Sequence, residues 1–386
     1  MKIASYVNST EEIDICKSKG IDEIILAPLI LSRFGRLTMT YFIELSKYAK
    51  QLGFNISCEW DILLTENSFK ELLSKISTQD FKYIDEIRVQ DTGVLNYILK
   101  HYTQKIQFLA ETNNHNLNSL LAFEKIIGPR LSRIILSLEL PLDKLQEFST
   151  KLNTATEITV FGRINLFYSP RKLISPYLNG NDENKTIEIE VNSEESPHKG
   201  FPLIQNRHGT FMQNPKDHCL LENITDLESA KVSFLKLDLR FDESFKKLDL
   251  ILKILKNKDV ENNLNRLKIM NKRPLIRGFF RINKTDHQFK KLKNLRIQRT
   301  DKNYIGEVLD VKKGLYIGLR VKDNASAILL GGWIELRTPE GKVKKLQIKS
   351  LKNSSNEDIN NIYINQIVYI NHVSGISIKT AIYFSQ

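Results

Sequence analysis

The chain has 386 residues, an apolar fraction of 41% and a formal charge of +12. At roughly 150 residues per domain this length suits two or three domains with a sizeable core. No run approaches the roughly 20 apolar residues of a membrane span. Cys16, Cys58 and Cys219 are too few and too scattered for a disulfide framework, and none has zinc-ligand spacing. The N-terminal "MKIASYVNSTEEIDICKSKG" lacks the apolar core of a secretory signal, so a cytoplasmic protein is expected. The positive balance favours polyanionic partners, nucleic acid before an anionic membrane.

"KIASY" reads as a strand, and "STEEIDICKSKG" opens a helix with Ser9 and Glu12 at capping-box positions. "DEIILA" then precedes the helical "MTYFIELSKYAKQLG", which ends at Gly53. "FNISCE" with "NSFKELLSKIS", "DEIRVQ" with "GVLNYILKHY", and "KIQFLAE" with "NSLLAFEKII" repeat the beat. "SRIILSLE" leads to "PLDKLQEFSTKL", with Pro141 near the helix start, and "EITVFG" follows. After an interruption, "SFLKLDLR" precedes "DESFKKLDLILKILKN". Eight strand–helix beats predict an α/β fold, a TIM-like (β/α) barrel; an open doubly wound sheet is the alternative. No glycine-rich phosphate loop follows the early strands.

The barrel is expected over residues 1–258, with a polar insertion near 179–200 that carries a hairpin. Residues 259–303 read as a basic linker region. Residues 304–386 alternate in hydropathy between glycine turns, which predicts a small β-barrel domain.

In such a barrel, chemistry sits at the C-terminal strand ends. Those positions hold Glu59, Gln90, Asp91, Glu111, Asn113, His115, Glu139, Arg163, Asp238 and Arg240. Tyr168, Arg171 and Lys172 follow in the seventh loop, "FGRINLFYSPRK". Arginine forks bind planar anions bidentately, so Arg163, Arg171 and Arg240 predict a cationic cup. Asn113, Tyr168 and Lys236 complete the expected ligand-binding set. A structural ion pair between Arg163 and Glu139 is the plainer alternative. For acid–base chemistry the candidates are His115, Glu139 and Asp238, although a lone loop histidine such as His115 in "ETNNHNLNS" is more often a capping or solvated residue. Cys219 reads as a buried, inert thiol. Neither G-x-S-x-G nor H-E-x-x-H occurs. The basic run supplies Arg277, Arg281, Lys290, Lys291, Lys293 and Arg296 for phosphate contacts, and Arg273 lies in the same run. Phe279, Phe280 and Tyr304 among them are candidates for base stacking or for packing on the barrel.

"VQDTGVL", "ETNNHNLNS", "RIILSLELPLDKL", "FGRINLFYSPRK", "HGTFMQNPKDHCLLENI", "SFLKLDLR" and "RGFFRI" occur in an order and spacing that resemble the collagenase-like peptidase family, peptidase family U32. The resemblance covers nearly the whole chain. It implies a TIM-like barrel with an appended small β-barrel. It also implies one of two activities: oxygen-independent hydroxylation of transfer RNA, ribosomal RNA or the ubiquinone ring, with an iron–sulfur cluster on four cysteines, or collagen-degrading proteolysis. Several family positions are changed here. Asn165 and Lys172 stand where cluster-bearing relatives have cysteines, the stretch after Tyr177 has none, and Cys219 alone matches. Tyr6, Val7 and Asn8 replace a Pro-Ala-Gly, and Leu138 with Glu139 replaces an Arg-Glu pair. Residues 112–115 stand for the family's Thr-Gln-Met-Asn, and residues 236–240 keep the cation, acid and final arginine of its Lys-Ile-Glu-Gly-Arg.

The expectation is therefore a protein without a cofactor, related to the RNA-modifying branch and binding RNA or an anionic ligand at the barrel mouth. A protease and a non-catalytic assembly module are the alternatives. RNA and a second member of the same family are the candidate partners; no membrane partner is expected.

Overall fold

The computed structural model describes residues 1–111, 115–177, 186–192, 199–281, 303–322, 328–339, 341–360 and 362–385. Two compact units divide the chain, Met1–Asn283 and Lys284–Gln386.

In the first unit, β1 (Lys2–Tyr6), β2 (Glu23–Leu26), β3 (Asn55–Trp60), β4 (Glu86–Val89), β5 (Lys105–Leu109), β6 (Leu131–Ile135) and β7 (Ala155–Gly162) pair in sequence, all parallel. An eighth barrel strand, Phe234–Leu237, pairs in parallel with both β7 and β1 and closes the ring. Closure sets aside the open-sheet alternative. The crossovers are α1 (Thr10–Lys19), α2 (Met39–Gln51), α3 (Glu66–Leu73), α4 (Thr92–His101), α5 (Leu117–Ile127), α6 (Leu142–Lys151) and α7 (Ile224–Ser229). At the first cap, Ser9 Oγ accepts the Glu12 amide at 3.2 Å. The Glu12 carboxylate, however, takes the amide of Asn8 rather than that of Ser9. Pro141 is the N-cap residue of α6.

Between β7 and the eighth barrel strand the chain builds a four-stranded antiparallel sheet. Its strands are β8 (Asn165–Ser169), β9 (Ile187–Val191), β10 (Phe201–Asn206) and β11 (Gly209–Gln213), in the order β8-β11-β10-β9. The hairpin expected near 179–200 is thus one edge of a larger sheet that also takes up "NLFYS". β12 (Asp217–Cys219) then runs antiparallel to β7, and the closing barrel strand is β13 (Phe234–Leu237). After α8 (Leu248–Leu255), the expected linker region begins with α9 (Val260–Met270) and β14 (Leu275–Ile276), which pairs with β12. Phe280 is 1% exposed within the barrel's apolar cluster, and its carbonyl accepts the Leu142 amide at 2.9 Å. That corrects its candidacy as a base-stacking residue.

The strands carry apolar side chains outward and polar ones inward. Ile87, Val89, Ile106, Phe108, Ile134 and Val160 join the cluster between strands and helices. Inside, the apolar cluster is only Ala4, Tyr6, Ile25 and Ala27; barrels of this class usually fill with branched aliphatics. Here Arg88 donates bidentately to Glu157 at 2.8 and 2.7 Å, and Arg133 bridges Glu157 and Glu23, both at 2.6 Å. Gln107 donates to Glu23 and Glu86, and Ser57 to Glu23. All six of Glu23, Ser57, Arg88, Gln107, Arg133 and Glu157 are at most 2% exposed.

The second unit is a rolled antiparallel sheet of β15 (Tyr304–Lys312), β16 (Tyr316–Val321), β17 (Trp333–Arg337), β18 (Val343–Gln347), β19 (Leu351–Lys352), β20 (Ile367–Asn371) and β21 (Ala381–Phe384). Their order is β18-β17-β21-β15-β16-β20-β19. Laid flat, its edge strands would lie about 29 Å apart at ~4.8 Å per strand. Yet only residues 348–350 join β18 to β19, a reach of at most about 15 Å. The sheet must curl into a barrel, and Asn371 spans the seam by accepting the Lys349 amide and donating to the Gln347 carbonyl. Ile305, Ile317, Leu319, Ile334, Val368 and Ile382 fill its interior. Among the described residues of the chain, no helix is long and apolar enough to cross a membrane.

Removing one partner from a buried ion cluster strands the others, at a cost of about 3–5 kcal/mol. Glu157→Ala is therefore expected to lower the unfolding free energy by that amount in urea titrations. Glu147→Ala, which breaks exposed pairs with Lys144 and Lys151, should leave the unfolding free energy essentially unchanged. The cluster also sets a pH dependence. Burial alone would raise the Glu157 carboxyl, but Arg88 and Arg133 overcome it and hold it down at about 2. A depressed folded value means full stabilisation above the ordinary 4.5 and loss as pH falls from there towards 2. Denaturation midpoints should drop below about pH 4.5, and more steeply in the wild type than in Glu157→Gln.

Candidate functional site

A concave pocket opens at the C-terminal ends of the barrel strands. Tyr6 of β1, Glu59 of β3 and Lys236 of β13 contribute from strands. Arg33 and Phe34 come from the β2–α2 loop, Asp61 and Glu111 from the segments after β3 and β5, and Ser137 to Glu139 from the β6–α6 loop. Arg163, Ile164 and Asn165 follow β7, and Asp238, Arg240 and Phe241 follow β13.

Two arginines anchor its polar wall. Arg240 Nε and Nη2 donate to the two Asp238 oxygens at 2.9 and 2.7 Å, and Nη1 donates to Glu59 at 2.9 Å. Its guanidinium lies 3.6 Å from the Tyr6 ring centre. Glu59 also accepts the hydroxyls of Tyr6 and Ser32. Arg163 lies over Phe241 and donates to Asp242 at 2.7 Å, to Gln213 at 2.7 Å and to Glu188 at 2.9 Å. Arg273 shares Asp242, so that member of the basic run is buried in an ion pair. Arg33 binds Asp61 at 2.6 Å, and Lys236 pairs with Glu111.

Four cations and five carboxylates line this pocket. The expected cationic cup is thus corrected: the carboxylates that balance the arginines come from other loops, where one-dimensional reading does not bring them together. Arg163 pairs with Asp242 and Glu188, not Glu139, which sets aside the simple rim pair. Burial would raise Glu59 and Asp238, but Arg240 beside them lowers both carboxyls. Asp61, two residues beyond Glu59, is raised because burial outweighs the Arg33 charge.

Of the sequence candidates, Glu59, Glu111, Glu139, Arg163, Lys236, Asp238 and Arg240 line the pocket. His115 stands beside it, with Nε2 2.9 Å from Ser137 Oγ and 3.6 Å from Glu139. Serine and carboxylate meet the same ring nitrogen, unlike a hydrolytic triad, where they occupy opposite ones. Asp91 caps α4 through the amides of Gly93 and Val94. Tyr168 lines a different concavity, and Arg171 is exposed and lines neither. Arg281 pairs with Asp226 at 2.9 Å, and Arg277 is exposed. Asn113, Lys290, Lys291, Lys293 and Arg296 lie outside the described residues. Sequence reading missed Arg33, Phe34, Asp61, Gln213 and Asp242; only Asp61, at alternate spacing from Glu59 in "CEWD", carried a local signal.

The donors do not suit an iron–sulfur cluster, which takes thiolates, typically four. The three cysteines sit on α1, β3 and β12, all buried. Burial pushes the Cys16 thiol up to about 12, Cys219 up to about 11, and Cys58 well above its ordinary value. Asn165, at one family cysteine position, has a buried carboxamide oxygen without a hydrogen-bond partner. No group of three or more His, Cys, Asp or Glu among the described residues is placed to hold a metal ion.

Gly162 in "FGR" fixes the wall's geometry. Its φ is +152°, and a Cβ there would meet Asp238 Cβ at 2.8 Å. Gly162→Ala should displace Asp238 and lower the unfolding free energy by about 2 kcal/mol, read from urea titration.

Comparison with known proteins follows this geometry. The family model described as peptidase family U32 matches residues 8–288. Over 115 residues the chain is 27% identical to tRNA hydroxylation protein P2 of Bacillus subtilis (strain 168), covering 28% of this chain and 37% of that protein. The chain thus spans little more than a third of the length of this curated relative. The solved U32 peptidase Mk0906 is 10% identical with a TM-score of 0.38, covering 62% of this chain and 92% of that one. N-(5'-phosphoribosyl)anthranilate isomerase from Pyrococcus furiosus is 10% identical with a TM-score of 0.37, covering 67% and 99%. With its model matched over most of the sequence, the chain belongs to peptidase family U32.

Proposed function

We propose that this chain is a cluster-free relative of the family's RNA-modifying branch, binding RNA with a single nucleotide entering the barrel mouth. The observation that carries the reading is the composition of the pocket wall. Donors from Arg33, Arg163, Lys236 and Arg240 stand among acceptors from Glu59, Asp61, Glu111 and Asp238, with Tyr6, Phe34 and Phe241 beside them. A nucleobase presents both donors and acceptors on its edges and an aromatic face, and such a wall answers all three. A wholly anionic guest would need surplus cations, which the pocket's paired charges do not provide. Outside the pocket, the formal charge of +12 supplies general attraction to a phosphate backbone. The name of the Bacillus relative, a tRNA hydroxylation protein, supports RNA as the substrate class.

The sequence has three cysteines, fewer than a four-thiolate cluster requires. On this reading the chain positions RNA, and any redox chemistry belongs to a partner such as a second family member.

Filter-binding titration with transfer and ribosomal RNA tests the reading. Micromolar or tighter binding near 50 mM salt is expected, weakening at least tenfold near 200 mM as counterion release is lost. No binding at low salt overturns it. Phe34→Ala, which removes one aromatic wall without touching an ion pair, should weaken binding roughly fivefold at unchanged salt dependence.

A further inference from the structure

A second concavity shares no lining residue with the barrel-mouth pocket. It is lined by Ser68, Glu71 and Leu72 of α3, by Ile62 and Leu63 before it, and by Tyr168, Pro170, Arg207 and His208 from the β8–β11 sheet. Nothing in the barrel-mouth chemistry uses it.

Three features make it more than a surface hollow. First, Tyr168 is held as a fixed platform. Its hydroxyl donates to the His208 carbonyl at 3.1 Å, and its ring stacks on Phe211 at 4.9 Å with 26° between planes. Second, the β10–β11 turn is fastened to the β2–α2 loop. His208 Nε2 lies 2.7 Å from the Leu29 carbonyl, and Asn206 donates to the Arg33 carbonyl at 2.7 Å. Arg207, on that anchored turn, is exposed and shares the concavity with the Lys75–Glu71 pair, its charge acting on Glu71 from across the hollow. Third, the two concavities are joined by a row of rings. Tyr168 contacts Phe211, Phe211 lies 4.7 Å from Phe34, and Phe34 lies 5.4 Å from Phe241. Phe34 and Phe241 are walls of the barrel-mouth pocket.

A rigid aromatic platform beside an exposed guanidinium is the minimal apparatus for one nucleotide of a single strand. The ring takes the base and the cation takes the phosphate. We propose that this concavity is a subsite for a flanking nucleotide of single-stranded RNA, its base stacked on Tyr168 and its phosphate on Arg207. The inference rests on the reading that RNA enters the barrel mouth, and it adds a requirement for an unpaired neighbour to the nucleotide held there.

The test is fluorescence anisotropy of the full chain with a short fluorescein-labelled oligoadenylate at two salt concentrations. Tyr168→Ala should weaken binding roughly tenfold with the salt slope unchanged, whereas Tyr168→Phe, which keeps the ring, should stay within about twofold of the wild type. Arg207→Ala should weaken binding and reduce the salt slope by about 0.7, the loss of one phosphate contact on a single strand. Arg207 is exposed, so this variant keeps the test valid even if Tyr168→Ala proves unstable. Salt-dependent wild-type binding that both Tyr168→Ala and Arg207→Ala retain in full overturns the subsite and leaves the barrel-mouth reading standing. Absence of wild-type binding to the oligoadenylate overturns the subsite, and the barrel-mouth reading is then decided by the titration with transfer and ribosomal RNA.

Discussion

Compensation of buried charge is the constraint on which the first unit depends. Glu157 lies between Arg88 and Arg133, and Arg133 passes on to Glu23, all inside a closed ring of strands. Ions in such a place are tolerated only when their charges are paired, and here they are, although Arg133 Nε and Gln107 Oε1 are left without a hydrogen-bond partner. The strands therefore have to meet in one register, because each interior partner comes from a different strand. Hydrophobic burial does its work elsewhere, between the outer faces of the strands and the helices. The mouth continues the same arrangement one level up, with Arg240 fixed by Asp238 and Glu59 and capped by the Tyr6 ring.

This division explains what could be read from the sequence. The eight barrel strands and every barrel helix except α7 were legible because outward positions repeat apolar residues and the crossovers carry helical spacing. The pocket was legible strand by strand, since Glu59, Arg163, Lys236, Asp238 and Arg240 all follow from knowing where barrel strands end. Its charge was not. Asp242 and Arg273 meet Arg163 from segments about 80 and 110 residues away, and nothing local announces it. Phe280 shows the converse: among arginines it resembles a nucleic-acid contact, yet it packs under α6. The β8–β11 sheet escaped because only β9 lies in a stretch with clear alternation between polar flanks.

A balanced mouth changes what the site asks of a guest. Paired arginines are already oriented, so a ligand meets a preorganised surface rather than a set of loose cations. Specificity then comes from matching donors to acceptors, while attraction over distance comes from the chain's overall charge. Where the resemblance leads one to expect thiolate ligands, this chain has the Asn165 carboxamide and a Cys219 thiol that is buried.

The small barrel of the second unit has a topological oddity. Its seven strands cannot alternate direction all the way round a ring, because an odd count forces two like-directed neighbours. Those two are β18 and β19, which run the same way and are in effect one bent ribbon crossing from one margin of the sheet to the other. Three linking residues are far too few for the crossover that a parallel pair needs, so the cylinder is sealed there by covalent continuity instead of a ladder. Severing the backbone there would release two raw margins at once, each ready to recruit a foreign strand.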